Sequence, residues 1–153
     1  MSWIKDTVVQ LTKKYKTNNP YEIAAAKNIY VMEQDLHESI YGFYKYIRKN
    51  KFIFINSNIQ QTLKFFTCAH ELGHSELHPR VNTPFLKANT LFTVNKVEVE
   101  ANKFAVELLL PDEEVYQYKH TNLSISEISK IFGVPKELSH LKTLEDHQKF
   151  FNF

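Results

Sequence analysis

The sequence predicts an α+β fold in which helices pack around a small, mainly antiparallel three-stranded sheet. Segments with apolar residues at helical spacing flank a central stretch, residues 28–56, in which hydrophobic residues form short β-rich runs. The 153 residues, 43% of them hydrophobic and 14% aromatic, suffice for one domain with its own core. We therefore expect a single domain, residues 1–153, composed of four successive segments: 1–27, 28–56, 57–111 and 112–153.

Composition argues against several classes of partner. The net charge is only +2, from 19 Lys and Arg against 17 Asp and Glu, so we expect no direct binding of nucleic acid. The chain has neither a leader pattern at its start nor eighteen consecutive apolar residues, which predicts a cytoplasmic protein without a membrane partner.

The single cysteine, Cys68, cannot form an internal disulfide and is expected to be a small buried side chain rather than a catalytic thiol.

The first segment carries signals for two helices. Ser2 can cap a helix that ends near Lys16, and its apolar residues recur at helical spacing. Asn19 can cap a second helix, with Pro20 at its first position, that runs to Ala26. Both helices are expected to serve packing.

The second segment carries the three predicted strands. They cover residues 29–32, 40–47 and 52–55, which are rich in β-branched and aromatic side chains. Residues 48–51 read as a hairpin turn, so the last two strands should pair antiparallel. An edge of this sheet could hold an extended peptide, although a scaffold role is the simpler interpretation.

A third segment contains the motif that carries chemistry. Residues 56–58 end the last strand and are expected to cap a long helix with an apolar stripe. Within that stripe, His70, Glu71 and His74 form an HExxH sequence. One helical turn separates the two imidazoles, so both can bind one Zn²⁺ while Glu71 reaches the water beside it. Hydrogen bonds inside a core could also satisfy the two histidines, but together with Glu71 they favour a metal site.

His78 continues the same helical series and has to be considered as a ligand. Eight residues of helix rise about 12 Å, too far for His70 and His78 to share one zinc ion at about 2 Å from each. We therefore interpret His78 as a helix-end residue, favourable at the negative pole of the helix. The third ligand must come from another element.

A helix over residues 97–111 offers two carboxylates as that third ligand. At about 100° per residue, Glu98 lies closer than Glu100 to the middle of the buried face, so Glu98 is the predicted ligand and Glu100 the fallback. In the alternative interpretation, Glu98 only completes a capping box with Asn95. Ala101 would allow close approach to the motif helix, and Asn102 could hold a ligand from behind.

These residues resemble a known family. HELGH at residues 70–74, followed by E-x-E-A-N-x-F-A-x-x-L-L-x-P at residues 98–111, is similar to the ImmA/IrrE family of gluzincin-like zinc metallopeptidases. The resemblance is strongest over residues 56–111. It implies a zincin-like α+β fold with zinc held by two histidines and a downstream glutamate. Members of the family, often encoded by prophages and integrative elements, cleave or inactivate a helix-turn-helix repressor.

Residues 80–95, between the two helices of the third segment, form a polar loop that could line a cleft, act as a lid or serve only as a connection.

The last segment, residues 112–153, carries signals for short helices. Ser124 and Glu127 form a capping box, Gly133 ends that helix, and Pro135 begins another. Helix, turn and helix also suit a DNA-reading motif, but few basic side chains are present and packing is favoured. The aromatic tail, residues 150–153, could dock on the body or contact a partner.

The sequence therefore predicts a zinc-dependent endopeptidase. His70, His74 and Glu98 would hold Zn²⁺, and Glu71 would act as general base toward the attacking water and then protonate the leaving amine. The expected partner is a protein substrate, by resemblance a helix-turn-helix repressor of a mobile element. The alternative is a non-catalytic anti-repressor, a zincin fold that binds its regulator stoichiometrically.

Overall fold

The computed structural model describes residues 2–145, so the aromatic tail at 150–153 lies outside the described residues. Its helices and strands confirm the predicted α+β class. In chain order they are helices α1 (Trp3–Tyr15) and α2 (Pro20–Ala26), strands β1 (Tyr30–Gln34), β2 (Gly42–Ile47) and β3 (Asn50–Asn56), then α3 (Gln61–Leu77), a 3₁₀ helix (Ala88–Phe92), α4 (Lys96–Leu109), α5 (Asp112–Tyr116), α6 (Ile125–Ile131) and a second 3₁₀ helix (Lys136–Leu141).

Helices α1 and α2 begin where their caps predict. The Ser2 hydroxyl accepts a hydrogen bond from the Lys5 amide at 3.2 Å. The Asn19 side chain accepts one from the Tyr21 amide at 2.9 Å, with Pro20 as the first residue of α2. These bonds satisfy amide groups that have no partner inside a helix. Both caps were predicted from the sequence and are confirmed.

The sheet is mixed, with strand order β1-β3-β2. The β2–β3 hairpin is antiparallel, as predicted, and its turn residues Arg48 and Lys49 have φ values of 51° and 66°. Two left-handed residues in succession suit the right-handed twist of a hairpin. Strand β1 pairs parallel with β3, so the sheet combines one antiparallel and one parallel pair. The side-chain amide of Asn56 supports the loop between β1 and β2, because its Nδ2 donates to the carbonyls of His37 and Ile40 at 3.1 and 2.8 Å.

The predicted start of the motif helix is wrong. Helix α3 begins at Gln61, and its N-cap Gln60 makes no side-chain capping bond. The asparagines expected to cap it have other partners: Asn56 holds the preceding loop, and Asn58 donates to the Asp35 carboxylate at 2.6 Å. Tertiary contacts therefore use side chains that would otherwise suit a local cap.

Helix α3 lies between the sheet and α4. Gly42 brings the sheet close to it, because a Cβ there would lie 2.4 Å from the Phe54 carbonyl oxygen and 2.6 Å from Thr67 Cγ2. On the other side, α3 packs most extensively against α4, where Ala101 is fully buried as expected. This packing places the buried face of α3 against the carboxylates of α4.

The helix in the C-terminal segment starts and ends at the residues that the sequence predicts. Ser124 and Glu127 form both bonds of a capping box, and Gly133 has a left-handed φ of 79°. After Pro135 the chain forms a 3₁₀ helix rather than an α-helix. Ile128 and Leu138 are buried, so this segment packs on the body.

Within residues 2–145, no helix combines the length and the apolar character that crossing a bilayer requires.

A buried charge cluster joins the ends of the chain. Lys5 of α1 lies 2.6 Å from Asp112, and Lys142 lies 2.7 Å from both Asp112 and Glu107. Lys5 also donates to the carbonyl of Thr143. Side-chain exposure is 4% for Lys5 and 1% for Lys142, which is rare for lysine unless it is paired. The cluster links the first helix to α4, α5 and the end of the described chain.

Candidate metal centre

The HExxH residues lie together on the buried face of α3. His70, Glu71 and His74 are each 0% exposed. One donor atom from each lies within 4.8 Å of the other two. The two imidazole rings are 4.8 Å apart between centroids and nearly perpendicular. This arrangement follows from the one-turn spacing of the histidines.

Glu98 of α4 meets both histidines. Its Oε1 lies 3.1 Å from His70 Nε2 and 3.3 Å from His74 Nε2, and its Oε2 lies 3.2 Å from His74 Nε2 without hydrogen-bond geometry. Asn95 caps α4 through its own side chain, which accepts from the amides of Val97 and Glu98. The Glu98 carboxylate is therefore directed at the imidazoles rather than at the cap.

Asn102 supports His70 from the opposite side. Its Nδ2 donates to the Thr90 carbonyl at 3.2 Å, which leaves Oδ1 facing His70 Nδ1 at 2.9 Å. An amide oxygen only accepts, so the proton of this bond sits on His70 Nδ1. The Nε2 atom of His70 is thereby directed toward Glu98.

His78 and Glu100 form a second pair behind the site. His78 Nδ1 lies 3.1 Å from His74 Nδ1, and His78 Nε2 lies 2.8 Å from Glu100 Oε1. Glu100, the fallback ligand of the sequence prediction, thus contacts His78 instead of His70 or His74. Sequence reasoning considered His78 only as a ligand or a helix-end residue and missed this contact. The i, i+4 spacing of His74 and His78 was the available signal.

Burial and hydrogen bonds set the charges of the three groups that meet. Burial opposes a charge on Glu98, but hydrogen bonds from His70 and His74 outweigh it and lower the pKa of Glu98 to about 2. Burial likewise opposes protonation of His70, yet the bond to Glu98 and the charge of Glu71 raise its pKa. For His74 burial prevails and lowers the pKa to about 4. Without a metal, the site thus holds a proton between His70 and an ionised Glu98.

Glu71 is an orphaned carboxylate. Neither of its oxygens has a hydrogen-bond partner, although both are buried. Burial, followed by the charge of Glu98, raises its pKa to about 8 against the opposing effect of His70. A buried carboxylate without a partner is costly, so the local chemistry favours a water or a cation beside it. Two imidazole nitrogens and a carboxylate beside it are a donor set that suits a catalytic zinc ion.

Known proteins show similarity over nearly the whole chain. The Peptidase_M78 family, described as an IrrE N-terminal-like domain, matches residues 24–142. The chain belongs to this family. The M78 match spans all the candidate site residues, and it makes the chain a member of a metallopeptidase family that requires a metal.

Two relatives are similar to this M78 chain over most of its length. It is 57% identical over 147 residues to "Uncharacterized immunity region protein 2" of Bacillus phage phi105, covering 96% of this chain and 93% of the relative. It is 34% identical over 144 residues to "Metallopeptidase ImmA" of Bacillus subtilis (strain 168), covering 91% and 83%. The resemblance stated from the sequence is thereby confirmed.

An open cleft reaches the M78 site at Glu98. Its volume is about 730 Å³, and Glu98 lies on its wall together with residues of the loop 83–95. Leu86 of this loop pairs with Gly42 at the edge of β2, through bonds from Leu86 N to Gly42 O and from Tyr41 N to Leu86 O. Backbone groups alternate along an extended strand, so those of Phe85 face away from β2. Among the described residues they have no hydrogen-bond partner.

The cysteine takes no part in this chemistry. Cys68 is fully buried, as predicted, and burial raises the pKa of its thiol well above the usual range. A thiol that stays protonated is a poor nucleophile. The candidate reactive groups at the site are therefore the imidazoles and carboxylates of α3 and α4.

Proposed function

We propose that this M78 protein is a zinc-dependent endopeptidase in which His70, His74 and Glu98 hold Zn²⁺ and Glu71 is the general base. One observation supports this most: the Glu98 carboxylate lies between the Nε2 atoms of both histidines, while both oxygens of Glu71 beside them lack a partner. Three protein ligands and a free carboxylate are the arrangement of a catalytic rather than a structural zinc site.

Each residue has a defined task in peptide hydrolysis. When bound, Zn²⁺ acts as a Lewis acid that polarises the scissile carbonyl and lowers the pKa of the attacking water. Glu71 removes a proton from that water and then donates it to the departing amine. Neither oxygen of Glu71 has a hydrogen-bond partner, so both are available to accept from that water. Asn102 keeps His70 in the tautomer whose Nε2 is available to the metal.

The proposed substrate is an extended segment of a protein, and the candidate is a helix-turn-helix repressor of a mobile element. The free backbone N–H and C=O of Phe85 in the cleft wall suit the main chain of such a segment. The names of the two relatives, an immunity region protein of a phage and Metallopeptidase ImmA, support a role in phage immunity. Because a repressor acts on DNA inside the cell, we propose that the reaction takes place in the cytoplasm.

The test uses the helix-turn-helix repressor encoded nearest to the gene for this chain. The zinc-loaded protein is mixed with a molar excess of that repressor, and mass spectrometry identifies new N-termini. We expect cleavage by the wild type and by the control variant Glu114→Gln, which changes an exposed carboxylate. Cleavage by Glu71→Gln should fall by at least about 100-fold with zinc content unchanged. Full activity of Glu71→Gln would contradict the assigned general base.

The same titration separates an enzyme from a stoichiometric anti-repressor. An enzyme inactivates many equivalents of repressor and leaves new termini. A binding protein stops at one equivalent and leaves the repressor intact. Inactivation that ends at equivalence, without cleavage, would therefore replace the proposed activity with the binding alternative.

A further inference from the structure

Three side chains form a line that leads away from the metal centre. Glu100 Oε1 lies 2.8 Å from His78 Nε2, and His78 Nδ1 lies 3.1 Å from His74 Nδ1. His78 is 8% exposed, and the Glu100 side chain is 16% exposed. The far nitrogen of His74, Nε2, faces Glu98. The line therefore joins a carboxylate near the surface to one of the two HExxH imidazoles.

We propose that Glu100 and His78 are positioning residues that fix the tautomer and ring orientation of His74, so that its Nε2 is free to bind the metal. The inference rests on the zinc site of the proposed function and adds two residues to it. Neither Glu100 nor His78 touches the metal or the substrate in this account.

The direction of the hydrogen bonds follows from the metal end of the line. A nitrogen that binds zinc must offer a lone pair, so His74 bound to the metal through Nε2 would carry its proton on Nδ1. That proton is donated to His78 Nδ1, which is then an acceptor. The proton of His78 therefore lies on Nε2 and is donated to Glu100 Oε1.

Helix α4 supports both imidazoles in this way. Asn102 fixes His70 directly, through the bond from His70 Nδ1–H to its Oδ1. Glu100 fixes His74 indirectly, because His78 spans the gap between them. The supporting residues occupy every second position along one helix: Glu98, Glu100 and Asn102. A single element therefore supplies a proposed ligand and an outer partner for each of the other two ligands.

The experiment measures zinc affinity by competition with a chromophoric chelator at fixed pH. We expect Glu100→Gln to bind zinc about 10-fold more weakly, because an amide can donate to His78 as well as accept from it. His78→Ala should weaken binding by about 10- to 100-fold. His78→Asn should recover part of that loss, since its amide oxygen offers an acceptor near the position of Nδ1. Glu114→Gln is the matched control and should equal the wild type.

A second readout reports the tautomer itself. In ¹⁵N NMR spectra of the zinc-loaded protein, His78 should carry its proton on Nε2 in the wild type and show a mixture of tautomers in Glu100→Gln. A purely structural role for Glu100 would not move this signal. Thermal unfolding of each variant shows that the fold is retained.

The outcomes distinguish the two proposals. If the wild type binds one zinc ion and His74→Ala weakens binding strongly, the metal site stands. Should Glu100→Gln and both His78 variants then bind within about twofold of the wild type, the positioning role is wrong. A wild-type protein that binds no zinc would overturn the metal site, and the positioning role with it.

Discussion

His70 and His74 lie one turn apart on α3, yet their surroundings move their pKa values in opposite directions. Burial disfavours protonation of both, but for His70 the hydrogen bond to Glu98 and the charge of Glu71 outweigh it. For His74 burial prevails, and the pKa falls to about 4. Their different outer partners, Asn102 for one and His78 for the other, accompany this difference. Two residues of one motif thus have distinct local chemistry.

Asn102→Ala tests the support of His70. The substitution removes the acceptor for His70 Nδ1–H, while the Thr90 carbonyl keeps its bond from the Thr93 amide. We expect zinc affinity to fall by about 10- to 100-fold, because the imidazole loses its fixed tautomer. Chelator competition measures the affinity. Zinc binding as tight as that of the wild type would show that Asn102 has no such role.

At the residue scale, the sequence predicts what depends on spacing within one helix. The i, i+4 spacing predicted that His70 and His74 share a face, and they do. Helical angles ranked Glu98 above Glu100, and Glu98 is the carboxylate that lies beside both imidazoles. The pairing of Glu100 with His78 depends on how α4 packs against α3, which spacing within one helix does not specify.

At the scale of elements, the position of α3 against the sheet depends on Gly42. Its missing side chain allows the β3 backbone at Phe54 and the α3 side chain of Thr67 to approach closely. Beside it, Leu86 occupies the edge of β2 at Gly42. An extended peptide would therefore pair with the loop carrying Phe85 rather than with β2 at this point. The use of a sheet edge for substrate, which the sequence offered beside the simpler scaffold role, stays a prediction.

Gly42→Ala tests this close approach. A Cβ at this position meets the Phe54 carbonyl oxygen, a backbone atom that cannot move independently of β3. We expect the free energy of unfolding to fall by about 1–3 kcal/mol, the usual cost of overpacking. Urea unfolding measures the change. A stability equal to that of the wild type would mean that β2 can shift without loss.

The elements also show where sequence patterns stop being informative. Helices α1, α2 and α6 begin at predicted caps because those side chains bond to their own helices. Helix α3 does not, since Asn56 and Asn58 bond to the segment before β2. The parallel pairing of β1 joins residues far apart in the chain, which local composition does not encode. Elements with local signals were thus predicted better than the contacts between them.

On the scale of the whole molecule, the buried charge cluster connects α1 to the C-terminal segment. Burial opposes the charge of Asp112, but hydrogen bonds from Lys142 and Lys5 outweigh it and lower its pKa. A carboxylate whose folded pKa is depressed contributes stability above its unfolded pKa of about 4, and this contribution is lost as the pH falls through the folded value. No periodicity predicted a buried Lys5. That one domain comprises residues 1–153 stays a prediction.

Asp112→Asn tests the cluster. At about pH 7 we expect it to lower the free energy of unfolding by about 2 kcal/mol, because two lysines lose a shared anion. The difference from the wild type should begin to shrink below about pH 4, the pKa of an unfolded Asp, and should disappear as the pH falls through the depressed folded pKa of Asp112. Urea unfolding between about pH 3 and 7 measures both stabilities. A difference that does not change with pH would contradict an electrostatic role for Asp112.

The central claim is that His70, His74 and Glu98 hold a zinc ion with one position left for water. A crystal structure of the zinc-loaded protein, with anomalous diffraction at the zinc edge, tests it most directly. We expect one zinc peak about 2 Å from Nε2 of each histidine and from a Glu98 oxygen, with a water as the fourth ligand. A peak elsewhere, a Glu98 side chain turned away from the metal, or a fourth protein ligand would contradict it.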